Sequence, residues 1–141
     1  ARWLSGRMQE LIEILRERSY REGDFTLASG RKSKFYIDVK TTGLWPKGAA
    51  LIGRAAVEKI HHSGIGRIHA LAGLTLGADP ILMAVSLAGL QSGHTWPALI
   101  VRKEPKKHGT EKYIEGIENV SASASVLILE DVVTTGESGL L

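Results

Sequence analysis

The chain has 141 residues, 43% of them apolar and 23% charged, which suits one soluble globular domain with a substantial core. It contains no cysteine, so disulfides, thiolate metal sites and cysteine nucleophiles are excluded, and the composition is compatible with a cytoplasmic protein. The net charge of +3 lies entirely within residues 102–112, where Arg102, Lys103, Lys106, Lys107 and Lys112 face only Glu104 and Glu111. Charge focused on one segment points to a compact anionic ligand rather than to a nucleic-acid surface.

Leu4, Met8, Leu11, Ile12 and Leu15 share one face of a first helix that ends near Ser19–Gly23. The amphipathic pattern differs from the continuous apolar core of a secretory signal. Phe25–Leu27, a Ser29-Gly30 turn and the β-branched and aromatic segment Lys34–Lys40 predict a small β element outside the main sheet. Leu51, Ile52, Ala55, Ala56 and Ile60 predict a helix with Pro46 near its start. His61 and His62 at its end read as exposed residues without a role, and Gly64-Ile65-Gly66 as a plain turn into a strand over Ile68–Ala72.

Ala78–Leu90 predicts a buried helix. The span Ala70–Leu90 is long enough for a membrane segment, but Asp79-Pro80 at its centre makes that costly, and no membrane association is expected. Pro97–Val101 forms a further strand, leading into the basic segment. Ser125–Asp131 is apolar on both faces and predicts a strand in the middle of a parallel sheet covered by helices. Alternating strands and helices give an α/β fold with its ligand site at the carboxyl ends of the strands.

The strand over Ser125–Asp131 delivers two adjacent carboxylates, Glu130 and Asp131, to the sheet edge. Val132, Val133, Thr134, Thr135, Gly136, Glu137 and Ser138 follow. Hydroxyls and a turn of backbone N–H groups suit a phosphate monoester, while the carboxylates suit vicinal ribose hydroxyls. Together they describe a ribose phosphate, whereas Thr-Thr-Gly alone would be read as an ordinary helix cap. No Walker loop occurs, and Gly64-Ile65-Gly66 lacks the third glycine of a dinucleotide fingerprint. A loop carrying Arg102, Lys103, Lys106 and His108 could neutralise a charged leaving group as it departs, and its closure would exclude water.

The Glu130–Gly136 stretch resembles the phosphoribosyl pyrophosphate (PRPP) motif of type I phosphoribosyltransferases. Arg102-Lys103-Glu104-Pro105-Lys106-Lys107-His108-Gly109 is similar to the catalytic loop of the orotate phosphoribosyltransferases. Phe25–Gly30 with Phe35-Tyr36 resembles their N-terminal hood, and Gly73–Ala78 their pyrophosphate loop.

The resemblance implies one domain over 1–141, a parallel sheet flanked by helices, with helix and hood over about 1–45 and the α/β core from 46 onward. It implies transfer of ribose 5-phosphate from PRPP to orotate, a step of pyrimidine biosynthesis. Lys103, Lys106 and His108 would be catalytic. Arg102, Lys103, Lys106, His108 and Glu130–Ser138 would hold PRPP, and Thr134, Phe35 and Tyr36 would hold orotate. Mg²⁺ would be carried mainly by PRPP, and a homodimer would share the 102–109 loop between subunits.

Three departures stand beside this. Many members carry lysine at the positions of Ala28 and Leu76. The chain also ends at Leu141, before the arginine that in this family grips the orotate carboxylate, so the C-terminal part is expected to be missing. The alternatives are a non-catalytic PRPP-binding regulatory module, or a transferase for another base.

Overall fold

The computed structural model describes residues 2–107 and 113–133. Helix α1 (Arg2–Arg18) leads into an antiparallel hairpin of β1 (Tyr20–Thr26) and β2 (Lys32–Ile37). Tyr20 stands opposite Ile37 and Thr26 opposite Lys32, with an irregularity between Glu22 and Phe25. Ring pairs support the hairpin, Tyr20 with Phe35 at 6.0 Å and Phe25 with Tyr36 at 5.7 Å between centroids. The hairpin is otherwise largely exposed. It is anchored at its base, where the buried Ser19 hydroxyl bonds the hydroxyls of Thr41 and Thr42 on the short helix α2 (Lys40–Gly43).

The main sheet has the order β5-β4-β3-β6. Strands β3 (Ala70–Leu74), β4 (Ala98–Val101) and β6 (Val126–Ile128) are parallel, and β5 (Ile114–Glu115) runs antiparallel on β4. Helices α3 (Pro46–Ser63) and α4 (Asp79–Gln91) pack on one another and on one sheet face. Pro46 starts α3, where a missing N–H costs nothing, and Gly64 ends it with a φ of 69°, as the turn reading expects. Leu71, Leu82 and Val85 are completely buried in the core between helices and sheet, with Val57 and Trp96 beside them.

The sequence predicts a parallel sheet flanked by helices, and the structure gives that arrangement with two corrections. The sheet is not wholly parallel, because the basic segment returns through β5. The apolar run over Ser125–Asp131 gives a strand of only three residues, shorter than the run, paired on β3 as the last strand of the described sheet. Leu127 and Leu129 pack toward the helices, while Val126 and Ile128 on the opposite face are 40% and 51% exposed. On that face Ala70, Ala72 and Leu99 are buried beside Ile114 and Val120. No helix among the described residues is long and apolar enough to cross a membrane.

Candidate active site at the carboxyl ends of the parallel strands

Beyond β3 the chain turns through residues 74–78 into α4, with a cis peptide between Thr75 and Leu76. The Thr75 amide donates to the Val101 carbonyl at 3.0 Å, and its hydroxyl donates to Asp79 Oδ2 at 2.7 Å. Two glycines let this loop sit close to its neighbours. A Cβ on Gly77 would lie 2.5 Å from both carboxylate oxygens of Asp131, and one on Gly73 would lie 2.8 Å from the Leu129 carbonyl oxygen. The Leu129 amide donates to the Ala72 carbonyl at 2.8 Å, so Glu130 and Asp131 leave the sheet in step with the loop.

A cleft of ≈ 340 Å³ results, lined by residues 74–78, Lys40, Lys103, Glu130, Asp131 and Val132. A second cleft of ≈ 680 Å³ adjoins it, sharing Thr75, Leu76 and Lys103 and adding Asp79, Arg102 and Glu115. Two cations thus border a pair of carboxylates at the end of the central strands.

Lys40 is held by its neighbours. Its ammonium lies 3.0 Å from Asp38 Oδ1, and its backbone amide donates to the same oxygen at 3.1 Å. The hydrogen bond to Asp38 raises its pKa above the ordinary lysine value. Burial opposes the shift, and the charges of Asp38, Asp131 and Tyr36 add to it. Arg102 is tied across the sheet edge, its guanidinium 3.2 Å from Glu115 Oε1 and its amide donating to the Tyr113 carbonyl. Asp79 Oδ1 is buried with no hydrogen-bond partner among the described residues.

Of the residues singled out in the sequence, Lys103, Glu130, Asp131 and Val132 meet in the cleft, and Arg102 lines the adjoining one. Lys106 is exposed in the segment leading away, and Val133 is exposed beyond Val132. His108, Gly109, Thr134, Thr135, Gly136, Glu137 and Ser138 lie outside the described residues. Phe35 and Tyr36 alternate across β2 and line neither cleft, although Tyr36 acts electrostatically on Lys40. Thr75 belongs to the Gly73–Ala78 loop that the sequence pointed to, whereas Lys40 and Asp79 join the site without having been singled out for it. The spacing of Asp38 and Lys40 was the only signal for the first, and a weak one.

The comparisons with known proteins address the same arrangement. An orotate phosphoribosyltransferase of Thermosynechococcus vestitus is 48% identical over 132 residues, covering 94% of this chain and 67% of its own length. The chain belongs to the orotate phosphoribosyltransferase family. A Nostoc orotate phosphoribosyltransferase is 47% identical over 132 residues, 94% of this chain and 62% of its own length. The chain therefore spans about two thirds of these relatives. A crystal structure of the Mycobacterium tuberculosis orotate phosphoribosyltransferase in complex with PRPP matches with a TM-score of 0.72 at 34% identity. The match covers 95% of this chain and 70% of that one. No protein-family model matches the chain.

Proposed function

We propose that this chain transfers ribose 5-phosphate from PRPP to orotate, giving orotidine 5′-monophosphate and pyrophosphate. The observation that carries the reading is the cleft in which Lys40 and Lys103 flank the Glu130–Asp131 pair against the close-packed 74–78 loop. In the reaction the bond from C1 of the ribose to the pyrophosphate oxygen breaks, a bond from C1 to the orotate ring nitrogen forms, and the proton of that nitrogen passes to the departing pyrophosphate or to water. Negative charge grows on the leaving group and positive charge on the sugar. Lys103, Lys40 and Arg102 neutralise the former, with Lys106 and His108 added from the loop, and Glu130 and Asp131 accept hydrogen bonds from the ribose hydroxyls. The Thr134–Ser138 turn holds the 5′-phosphate through its hydroxyls and amides. Phe35, Tyr36 and Thr134 are assigned to orotate on the family resemblance alone.

Among the described residues no group of three or more side chains could hold a metal ion. Mg²⁺ in this reading is carried chiefly by the substrate's oxygens, and Glu130 or Asp131 would supply the protein's contribution, since Mg²⁺ at phosphates keeps few protein ligands. When bound, Mg²⁺ spreads the charge of the departing pyrophosphate. In this reading the enzyme is a cytoplasmic homodimer that shares the 102–109 loop between its subunits.

The test is PRPP-dependent loss of the ultraviolet absorbance of orotate in the presence of Mg²⁺, with other nucleobases as competitors. Saturable consumption of orotate that other bases do not inhibit supports the reading. Preferential use of another base overturns the substrate assignment, and PRPP binding without turnover overturns the enzymatic one in favour of a binding module.

A further inference from the structure

The bonds that shape the loop between β3 and α4 involve one side chain to which the transfer reaction above gives no part. Thr75 follows the last residue of β3, and Asp79 is the first residue of α4. The Thr75 amide donates to the Val101 carbonyl, and the Thr75 hydroxyl donates to Asp79 Oδ2 at 2.7 Å. The Asp79 amide donates to the Leu76 carbonyl at 3.2 Å, and the Ala78 amide to the Leu74 carbonyl at 3.3 Å. Between these ties the backbone amides of Leu76 and Gly77 have no partner among the described residues. Both residues line the cleft beside Lys40 and Lys103. Consecutive free amides ahead of a helix are suited to an anion.

Asp79 holds its place at a cost in stability. Its Oδ1 is buried without a hydrogen-bond partner among the described residues, and an unpaired buried carboxylate oxygen is unfavourable. The amino end of α4 offsets part of that cost, because a first-turn acid meets the positive end of the helix dipole. What the carboxylate secures is the Thr75 hydroxyl.

We propose that Asp79 is a positioning residue for the pyrophosphate end of PRPP. It fixes Thr75, and through Thr75 it sets the free amides of Leu76 and Gly77 toward the leaving group. The inference rests on the transferase reading and deepens it. With its proton committed to Asp79, the Thr75 oxygen has only lone pairs to offer a further partner. The loop's donors to an anionic oxygen are therefore its amides and not this hydroxyl. Asp79 acts through Thr75, and the burial of Oδ1 keeps its negative charge away from the substrate's own.

Calorimetric titration with PRPP and Mg²⁺, together with the KM for orotate and the Tm, tests this on the wild-type chain and four variants. Asp79→Ala should weaken PRPP binding about tenfold, as expected for loss of a hydrogen bond to a charged group, with the KM for orotate and the Tm unchanged. Asp79→Asn, which keeps an acceptor for the Thr75 hydroxyl, should restore most of the affinity. Thr75→Val keeps the side-chain volume and should match Asp79→Ala, and the double variant Thr75→Val with Asp79→Ala should be no worse than either alone. Wild-type PRPP affinity in Asp79→Ala, additive losses in the double variant, or a fall in Tm and a rise in the orotate KM alongside the lost affinity would each overturn the positioning role. Failure of the wild-type chain to bind PRPP would instead overturn the transferase reading and this inference with it.

Discussion

The two ends of the parallel strands are built from the same core but differ in what they offer a ligand. At the carboxyl ends, the loop sits so close that Gly73 lies against the Leu129 carbonyl and Gly77 against the Asp131 carboxylate, and lysines meet acids across a small cleft. At the amino ends, a turn closed by Gly64 leaves a cavity of ≈ 610 Å³ bordered by imidazoles and an indole. The first end suits a phosphorylated sugar, whose many oxygens need both cations and acceptors. The second offers imidazole and indole rings, with no carboxylate among its described lining residues. The contrast shows that charge placement and loop tightness, not the sheet itself, decide what each end binds.

The comparison can be broken most severely from the core both ends share. Leu82 is fully buried under the loop and against the sheet, and Leu82→Ala should cost about 2–5 kcal/mol of stability, read as a lowered denaturation midpoint. Both ends should suffer together. Gly77→Ala separates them. Its added methyl would force the Asp131 carboxylate out of its place in the cleft, so the transferase rate should fall about 100-fold, the equivalent of about 2.7 kcal/mol, with the fold retained. If the rate holds, the loop does not need that close approach.

The smallest effect concerns Lys40. Lys40→Met should raise the KM for PRPP about tenfold with a lesser change in kcat, as for a residue that binds charge already present in the substrate. Its raised pKa also sets a sign. The charged form is favoured in the fold, so the stabilising contribution is present below the ordinary lysine value of 10.5 and is lost as pH rises through the folded value. Alkaline titration of wild type against Lys40→Met should therefore show the two stability curves converging only above that range.

Much of this was legible in the sequence, and the rest was hidden for physical reasons. Strands β3 and β4 and helices α3 and α4 follow from apolar periodicity and from Pro46 and Gly64. The acidic pair Glu130–Asp131 announces itself because two adjacent carboxylates at the end of an apolar run have few structural uses. Position within the sheet was not legible, since apolarity on both faces of β6 reports the chemistry of the strand and not its neighbours. Strand β5, with two residues, is too short for any period. Lys40 sits at the end of a segment that reads as strand, and only the turn into α2 carries it to the cleft. His61 reads as a surface residue because its hydrogen-bond partner, His94, lies 33 positions away.

The most direct measurement compares initial rates of PRPP-dependent orotate consumption by the chain and by its Gly77→Ala variant, with folding of both verified by thermal denaturation. Transfer at the carboxyl-end cleft predicts turnover by the chain and near-complete loss in the variant. Equal rates in the two, or no orotate consumption by the folded chain, would contradict it.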